Sequence, residues 1–405
     1  MKVLYFHQHF STPKGSAGIR SYEMARRLVK QGHHVTMVCG SYSGGETGLK
    51  KAFENGRRNG LVDGINIIEF DLAYSNNDGL VKRAVLFLKF ALRSVGLALT
   101  QKYDVLFATT TPLTAGIPGI FARWLRGKPF VFEVRDLWPE LPKQMGVIKN
   151  PIILGLMSLL EWASYRSAHR CVGLSPGIVE GIAKRGVDRN KIKLVPNGCD
   201  LGIFGNQVES WRPEGVGNTD LMAIFTGTHG VANGLDAALD AAKELKARGR
   251  NDIKLVLVGQ GRLKEQLQQR AEIERLDNVI FHSPVNKAKL AELMMGADIG
   301  MQLLANIPAF YYGTSPNKFF DYISAGLPVL NNYPGWLADM ITEHECGYTV
   351  EAENAKAFAD ALEKASADKV NLKIMGGNAR ALAQAEFDRR NLADSWVNWV
   401  TGIIK

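Results

Sequence analysis

Residues 311–330, YYGTSPNKFFDYISAGLPVL, set an ammonium and a carboxylate, Lys318 and Asp321, three residues apart behind a Ser-Pro. If a helix begins near Asn317, Thr314 or Ser315 is placed to cap it, and the N–H groups of its first turn point outward. Lys318 then adds a cation at the positive end of the helix dipole. Backbone donors and an ammonium together suit the diphosphate of a nucleotide. Asp321, one turn further, suits a ribose diol, as acidic residues do in other nucleotide sites. Thr314, Ser315, Pro316, Asn317, Lys318 and Asp321 are therefore candidate nucleotide-binding residues. The competing reading is an ordinary helix start with a surface Lys318–Asp321 ion pair.

Other segments could serve the same ligand. FTGTHG and LVGQGR each place glycines after a strand, at Gly227 and Gly261, with His229 and Arg262 just beyond. A guanidinium in such a loop suits a diphosphate. Val285 closes the strand run VIFHSPV and joins the same candidate set. Near the N-terminus, Gly15 and Gly18 frame a loop before a helix, where backbone N–H groups can approach a phosphate. The G-x-G-x-x-G fingerprint is absent, which argues against a nicotinamide cofactor. VPNG, residues 195–198, is a rigid turn at a strand end.

These residues need a frame to hold them. KVLYF, HHVTMVCG, DVLFATT, FVFEVRD and RCVGLS read as buried strands with helical stretches between them. Repeated strand–helix alternation predicts a parallel sheet covered on both faces. The pattern pauses at residues 205–219, a polar, glycine-containing linker, and then resumes with LMAIFTGT, IKLVLVGQG, VIFHSPV, IGMQLL, PVLNN and GYTV. The expectation is an α/β chain with two doubly wound, Rossmann-like domains, 1–204 and 220–389. A Trp-rich helix, 390–405, is expected to pack back on the first domain. Each sheet offers its ligand surface at the carboxyl ends of its strands, and a shared ligand is expected in a cleft that the two domains face across.

Composition is ordinary for a folded protein, with 46% hydrophobic and 22% charged residues over 405 positions. The formal charge of +9 points to an anionic partner: a phosphorylated substrate, an anionic membrane surface or nucleic acid. Nucleic acid is disfavoured, because the basic residues are not interleaved with aromatics on a recognised module. The four cysteines form no C-x-x-C pair, so neither a zinc site nor a disulfide scaffold is expected, and the compartment is read as reducing. MKVLYFHQHF has no long apolar core and is not read as a signal peptide. Residues 79–102 mix Lys82, Arg83, Lys89 and Arg93 with Leu and Phe at helical spacing, the pattern of a basic helix lying in an anionic interface. PIILGLMSLLEWASYR is apolar and reads as a core helix.

In their order, SAGIRSYEMARRLVKQGHHV, VPNGCDLGIF, VGQGRLKEQL and PNKFFDYISAGLPVL resemble the motifs of family-4 retaining glycosyltransferases of the GT-B fold. The resemblance covers nearly the whole chain. FHQHFSTPKGS, VRDLWPE and GTHGVANGLD resemble more closely a bacterial surface-polysaccharide branch of WbuB-type N-acetylfucosaminyl transferases. It implies transfer of a sugar from a nucleoside diphosphate, here UDP, to a lipid-linked saccharide at the inner face of the cell membrane. No tightly bound cofactor is implied. No Asp-x-Asp pair occurs, so a metal held by that motif is not expected, while stimulation by Mg2+ stays open.

Three departures from the family pattern stand out. The family's first motif glutamate is Gly313 here, which leaves the identity of the donor sugar open and makes an N-acetylated or 6-deoxy sugar, contacted through backbone at 314–316, one reading. GTHGVANG lacks the usual Arg and Lys for the diphosphate, so Arg262 and Lys318 are expected to replace them, with His229 nearby. Arg135 stands where many relatives have His, beside Asp136. The pair could bind and orient a sugar or form a buried ion pair. Arg135, Asp136, Lys318 and Arg262 are the expected catalytic residues. The alternatives are a UDP-sugar 2-epimerase of similar fold and a catalytically silent nucleotide-binding scaffold.

Overall fold

The computed structural model describes residues 1–15, 17–75, 78–205 and 208–404. Ser16 of the first glycine loop and Asn206 and Gln207 of the expected linker lie outside the described residues. The strands are β1 (Lys2–Phe6), β2 (His34–Tyr42), β3 (Arg57–Val62), β4 (Ile65–Tyr74), β5 (Val105–Thr109), β6 (Phe130–Val134), β7 (Arg170–Gly173) and β8 (Ile192–Leu194). They continue as β9 (Leu221–Thr226), β10 (Ile253–Val258), β11 (Val279–His282), β12 (Ile299–Gln302), β13 (Val329–Asn331) and β14 (Gly347–Thr349). The helices begin with α1 (Arg20–Lys30), α2 (Leu80–Thr100), α3 (Ile117–Arg126), α4 (Glu140–Gln144), α5 (Pro151–Ser167) and α6 (Pro176–Lys184). Next come α7 (Leu201–Phe204), α8 (Asp236–Ala247), α9 (Lys264–Ile273), α10 (Lys287–Gly296), α11 (Pro308–Gly313) and α12 (Asn317–Ala325). The last are α13 (Trp336–Glu343), α14 (Ala355–Ala367), α15 (Lys369–Glu386) and α16 (Arg389–Thr401).

The chain divides into two compact units. One holds Met1–Pro196, Gly313–Ser315 and Arg390–Lys405, the other Asn197–Tyr312 and Pro316–Arg389. The short helix α7, which the sequence reading puts with the first domain, packs on α10 and α12 in the second unit. Each unit is a Rossmann-like α/β layer structure.

In the first unit the strand order is β3-β4-β2-β1-β5-β6-β7-β8, parallel throughout except for the β3–β4 pair. Central strands β5 and β6 are buried at every position, Glu133 of β6 included, as strands of a parallel sheet covered on both faces must be. The β3–β4 hairpin is an addition to the expected alternation. Asp63 and Gly64 both sit at positive φ, 51° and 82°, and make the primed turn that matches strand twist. Helices α1 and α16 contribute to the core on one face of this sheet, and α2, α3, α5 and α6 to the core on the other. The Trp396 ring of α16 is fully buried, 4.8 Å from Phe107 and 6.0 Å from Tyr5.

Helix α5 departs from the expected core helix. Ile152, Leu156, Leu159 and Trp162 are each more than half exposed. Its buried side is polar or aromatic instead: Glu161, Ser164, Tyr165 and Ser167. The four cysteines are all free and buried, Cys39 and Cys171 on strands and Cys199 and Cys346 in loops.

In the second unit the order is β11-β10-β9-β12-β13-β14, and every pair is parallel. The strand order turns back at β9, where β10 lies on one side and β12 on the other. Ligands of doubly wound sheets bind beyond the carboxyl ends of strands at such a switch point.

Candidate functional site

The carboxyl end of β9 leads into Gly227, Thr228 and His229, and that of β10 into Gly259, Gln260 and Gly261. The two loops touch so closely that side chains are excluded. A Cβ at Gly259 would stand 1.8 Å from the Gly227 carbonyl oxygen, and one at Gly261 would stand 2.3 Å from that of His229. Lys264 ties the β10 loop to the end of β11, its Nζ donating to the Gly259 carbonyl at 2.8 Å and the His282 carbonyl at 2.9 Å. The sequence reading missed Lys264, which looks like any lysine in the first turn of a helix.

His229 is fully buried between the Phe225 and Phe281 rings, each 6.1 Å away. Burial, helped by the Lys264 charge, lowers its pKa to about 4, so its imidazole is neutral at pH 7. It is part of the loop packing rather than a second cation for a diphosphate. Arg262 is exposed at the mouth of the loop and Val285 is half-buried after β11.

Helix α12 begins at Asn317, but its cap is Pro316, which offers no side-chain acceptor. The expected Thr314 or Ser315 cap is thus displaced by one position. These two residues group with the first unit. The helix is pinned under the β9 loop by Tyr322, whose hydroxyl accepts from the Thr226 N–H at 2.9 Å. That anchor places Lys318 beside the loop. Its Nζ donates to Asn233 Oδ1 at 2.6 Å and lies 4.4 Å over the Phe225 ring. Asn233 is itself held by the 2.7 Å bond from its Nδ2 to the Thr228 carbonyl. The sequence reading did not single out Asn233, although it lies in the GTHGVANG segment where the family's cations are absent.

Lys318 has no carboxylate partner among the described residues, and burial lowers its pKa to about 7. Asp321 sits one turn on, and burial raises its pKa to about 6 despite the cations Lys287 and Arg389. The surface Lys318–Asp321 ion pair of the competing reading is absent among the described residues. Burial weakens the charge of both groups and brings both pKa values close to neutral pH, as at sites where a ligand supplies the missing charge. Gly313 has open space where a Cβ would project.

The VPNGCD turn is more than punctuation. Cys199 N–H donates to the Phe387 carbonyl at 2.7 Å, and the Arg389 guanidinium reaches the Gly198 carbonyl and the Asp200 carboxylate. Lys287 completes the cluster at 2.7 Å from Asp200. Burial pushes the Asp200 pKa up, but the two cations outweigh it and hold the carboxyl below its usual range.

In the first unit, Arg135 follows β6 and does not pair with Asp136. Its Nε donates to Thr109 Oγ1 at 2.8 Å and Glu133 Oε1 at 3.3 Å, and an Nη to Ser21 Oγ at 2.8 Å. Glu133 is wholly buried and also receives Arg20 at 2.9 Å and Thr109 at 2.8 Å. Arg20 spends its other donors on the Val195 and Pro196 carbonyls. Burial raises the Glu133 pKa, yet the two guanidinium groups lower it further and keep it ionised. Asp136 accepts from Thr111 at 3.1 Å, and burial raises its pKa. His7 and His9, just past β1, are held neutral: burial and the Arg135 charge push His7 well below the imidazole range and His9 to about 4. Gly18 is exposed in the loop before α1.

Residues 15–198 match the glycosyl transferase 4-like domain and residues 208–382 the glycosyl transferases group 1 domain. The chain is similar to D-inositol 3-phosphate glycosyltransferase of Nocardia farcinica, at 25% identity over 54% of this chain and 48% of that protein. It is similar to O-antigen chain mannosyltransferase C of Escherichia coli, at 23% identity over 64% of this chain and 67% of that one. It thus spans about half the length of the first of these relatives. Among solved structures, Anabaena HepE in complex with UDP superposes with a TM-score of 0.69 at 17% identity, over 99% of this chain and 100% of HepE. Two matched domains on two Rossmann-like units place the chain among the two-domain glycosyltransferases of the GT-B fold.

Proposed function

We propose that this protein moves a sugar, with retention, from a UDP-sugar to a lipid-linked saccharide during synthesis of a bacterial surface polysaccharide, at the inner face of the cell membrane. The observation that carries the donor half is Lys318: an ammonium with no carboxylate partner among the described residues, aimed by Asn233 and Phe225 at the glycine loop beyond β9. A diphosphate at that loop restores the charge that burial weakens. Negative charge grows on the leaving diphosphate as the glycosidic bond breaks, and a fixed cation and backbone N–H groups there stabilise the transition state more than the ground state. Arg262, exposed beside the loop, is the second cation in this reading. Asp321 takes the ribose hydroxyls. UDP is favoured because the similar HepE is known with UDP and with UDP-glucose. The donor sugar is N-acetylated or 6-deoxy in this reading, since Gly313 brings no carboxylate to its hydroxyls.

Same-face attack, with the leaving phosphate taking the acceptor proton, requires no protein base. The neutral His7 and His9 fit a binding role for the first unit's polar residues, and the Arg20–Glu133–Arg135 cluster holds the strand ends on which they sit. The test is a melting-temperature panel with UDP, GDP, ADP, dTDP and UDP-sugars, followed by turnover with a lipid-linked acceptor. UDP is expected to raise the melting temperature, and its sugar conjugate to raise it further. No shift with any nucleotide would favour the silent scaffold. Epimerised sugar with no acceptor consumed would favour the epimerase.

A further inference from the structure

Helices α2, α3 and α5 lie side by side on one face of the first unit, α3 packing against both neighbours. Their outward sides are apolar. Val81, Val85, Leu88 and Leu92 run along α2 at spacings of four, three and four residues, each between 45% and 79% exposed. Helix α3 adds Phe121, Trp124 and Leu125, and α5 adds Ile152, Ile153, Leu156, Leu159 and Trp162. With Leu80, these three helices carry thirteen of the 24 large apolar side chains exposed among the described residues. Such a contiguous patch is uncommon on a protein surrounded by water alone.

The exposed charges carried by these three helices are basic, and Asp78, just before α2, pairs with Lys82 at 2.6 Å. Helices α2 and α3 contain no acidic residue, and the only one in α5, Glu161, is buried and paired with Arg185 at 2.7 Å. Lys82, Lys89 and Arg93 form a basic row beside the apolar row of α2. Arg123 and Arg126 stand on α3 and Arg166 on α5. No helix of the described residues is long and apolar enough to cross a membrane.

We infer that the combined outer face of α2, α3 and α5, and not α2 alone, docks into an anionic lipid bilayer. Apolar rows enter the boundary between headgroups and acyl chains, the two tryptophans sit at headgroup level, and the basic row meets lipid phosphates. An apolar face ringed by cations suits this occupant, since a bilayer supplies hydrocarbon and negative charge together. The inference rests on the proposed lipid-linked acceptor only for its purpose, and its test does not involve transfer.

The experiment is flotation of the full chain with phosphatidylcholine vesicles, with and without phosphatidylglycerol. The protein is expected to float with the anionic vesicles. A variant carrying Ile152→Ser, Leu156→Ser and Leu159→Ser on exposed sites should lose at least tenfold in partitioning and keep the wild-type melting shift with UDP. Lys89→Glu with Arg93→Glu should cost about fivefold per charge and weaken the salt dependence. A second readout needs no destabilising change: tryptophan emission should be quenched by brominated-chain lipids in the wild type and much less so in Trp124→Phe/Trp162→Phe. Equal flotation of the α5 variant and wild type, or no quenching, would overturn the inference. So would a wild type that ignores vesicles and runs as a dimer that the α5 variant splits. Loss of UDP binding with flotation intact would count against the donor site alone.

Discussion

The Arg20–Glu133–Arg135 cluster and the Lys318–Asp321 pair are both charge groups taken out of water near the carboxyl ends of central strands, yet their surroundings are opposite. In the first unit Glu133 is met by two guanidinium groups and the Thr109 hydroxyl, and burial fails to neutralise it. In the second, Lys318 and Asp321 meet no opposite charge within bonding distance among the described residues, and burial moves both pKa values toward neutral pH. A saturated cluster holds a shape. An unsaturated pair is strained electrostatically until a ligand of the right charge arrives. That difference separates scaffold from candidate binding site more clearly than residue type does.

The largest expected effect breaks the saturated cluster. Arg20→Met leaves Glu133 buried with one cation fewer and should cost about 3–5 kcal/mol of folding stability, read by denaturant unfolding. Lys318→Met should do the reverse. Sign decides this case: a lysine whose folded pKa lies below its unfolded value penalises folding at low pH, and the penalty fades as pH rises above about 7 toward 10.5. Removing the amine should therefore raise the melting temperature, most below pH 7, while UDP affinity falls about tenfold or more for loss of a charge-assisted contact. A destabilised Lys318→Met protein would mean that the lysine is structural.

Asn233→Ala should be milder. It frees the ammonium without removing it, and UDP affinity should fall a few-fold; Asn233→Asp should not rescue it, because a carboxylate there pairs with Lys318 in place of the diphosphate and loses the donor to the Thr228 carbonyl. Smallest is Gly313→Glu. The open space there admits the side chain, so stability and UDP affinity should stay near wild type while the preference among UDP-sugars changes.

The sequence shows some of this directly and hides the rest for physical reasons. The α12 start was legible because Pro316, the amphipathic run and the Gly326 stop are all local signals. Glu133 was not: inside FVFEV it looks like one polar slip in an apolar strand, and its partner Arg20 is 113 residues away. The β3–β4 hairpin was missed although VDG between two alternating runs is a turn signal. His229 was placed among the donor-binding residues because it follows a glycine loop, and only the structure shows that it is buried between two rings and uncharged. PIILGLMSLLEW looked like core because apolar runs usually are, and whether its outer face is covered depends on neighbours that the run does not specify.

The central claim is that Lys318, kept near neutrality in the empty protein, is charged by the diphosphate it binds. UDP titration calorimetry from pH 5 to pH 9, repeated in buffers of different ionisation enthalpy, tests it most directly. Affinity should peak between the two limbs, falling below about pH 6 as Asp321 protonates and above about pH 7 as Lys318 loses its proton. Proton uptake on binding should appear above pH 7 and vanish in Lys318→Met. Binding that is flat across this range, with no proton taken up, would contradict the account.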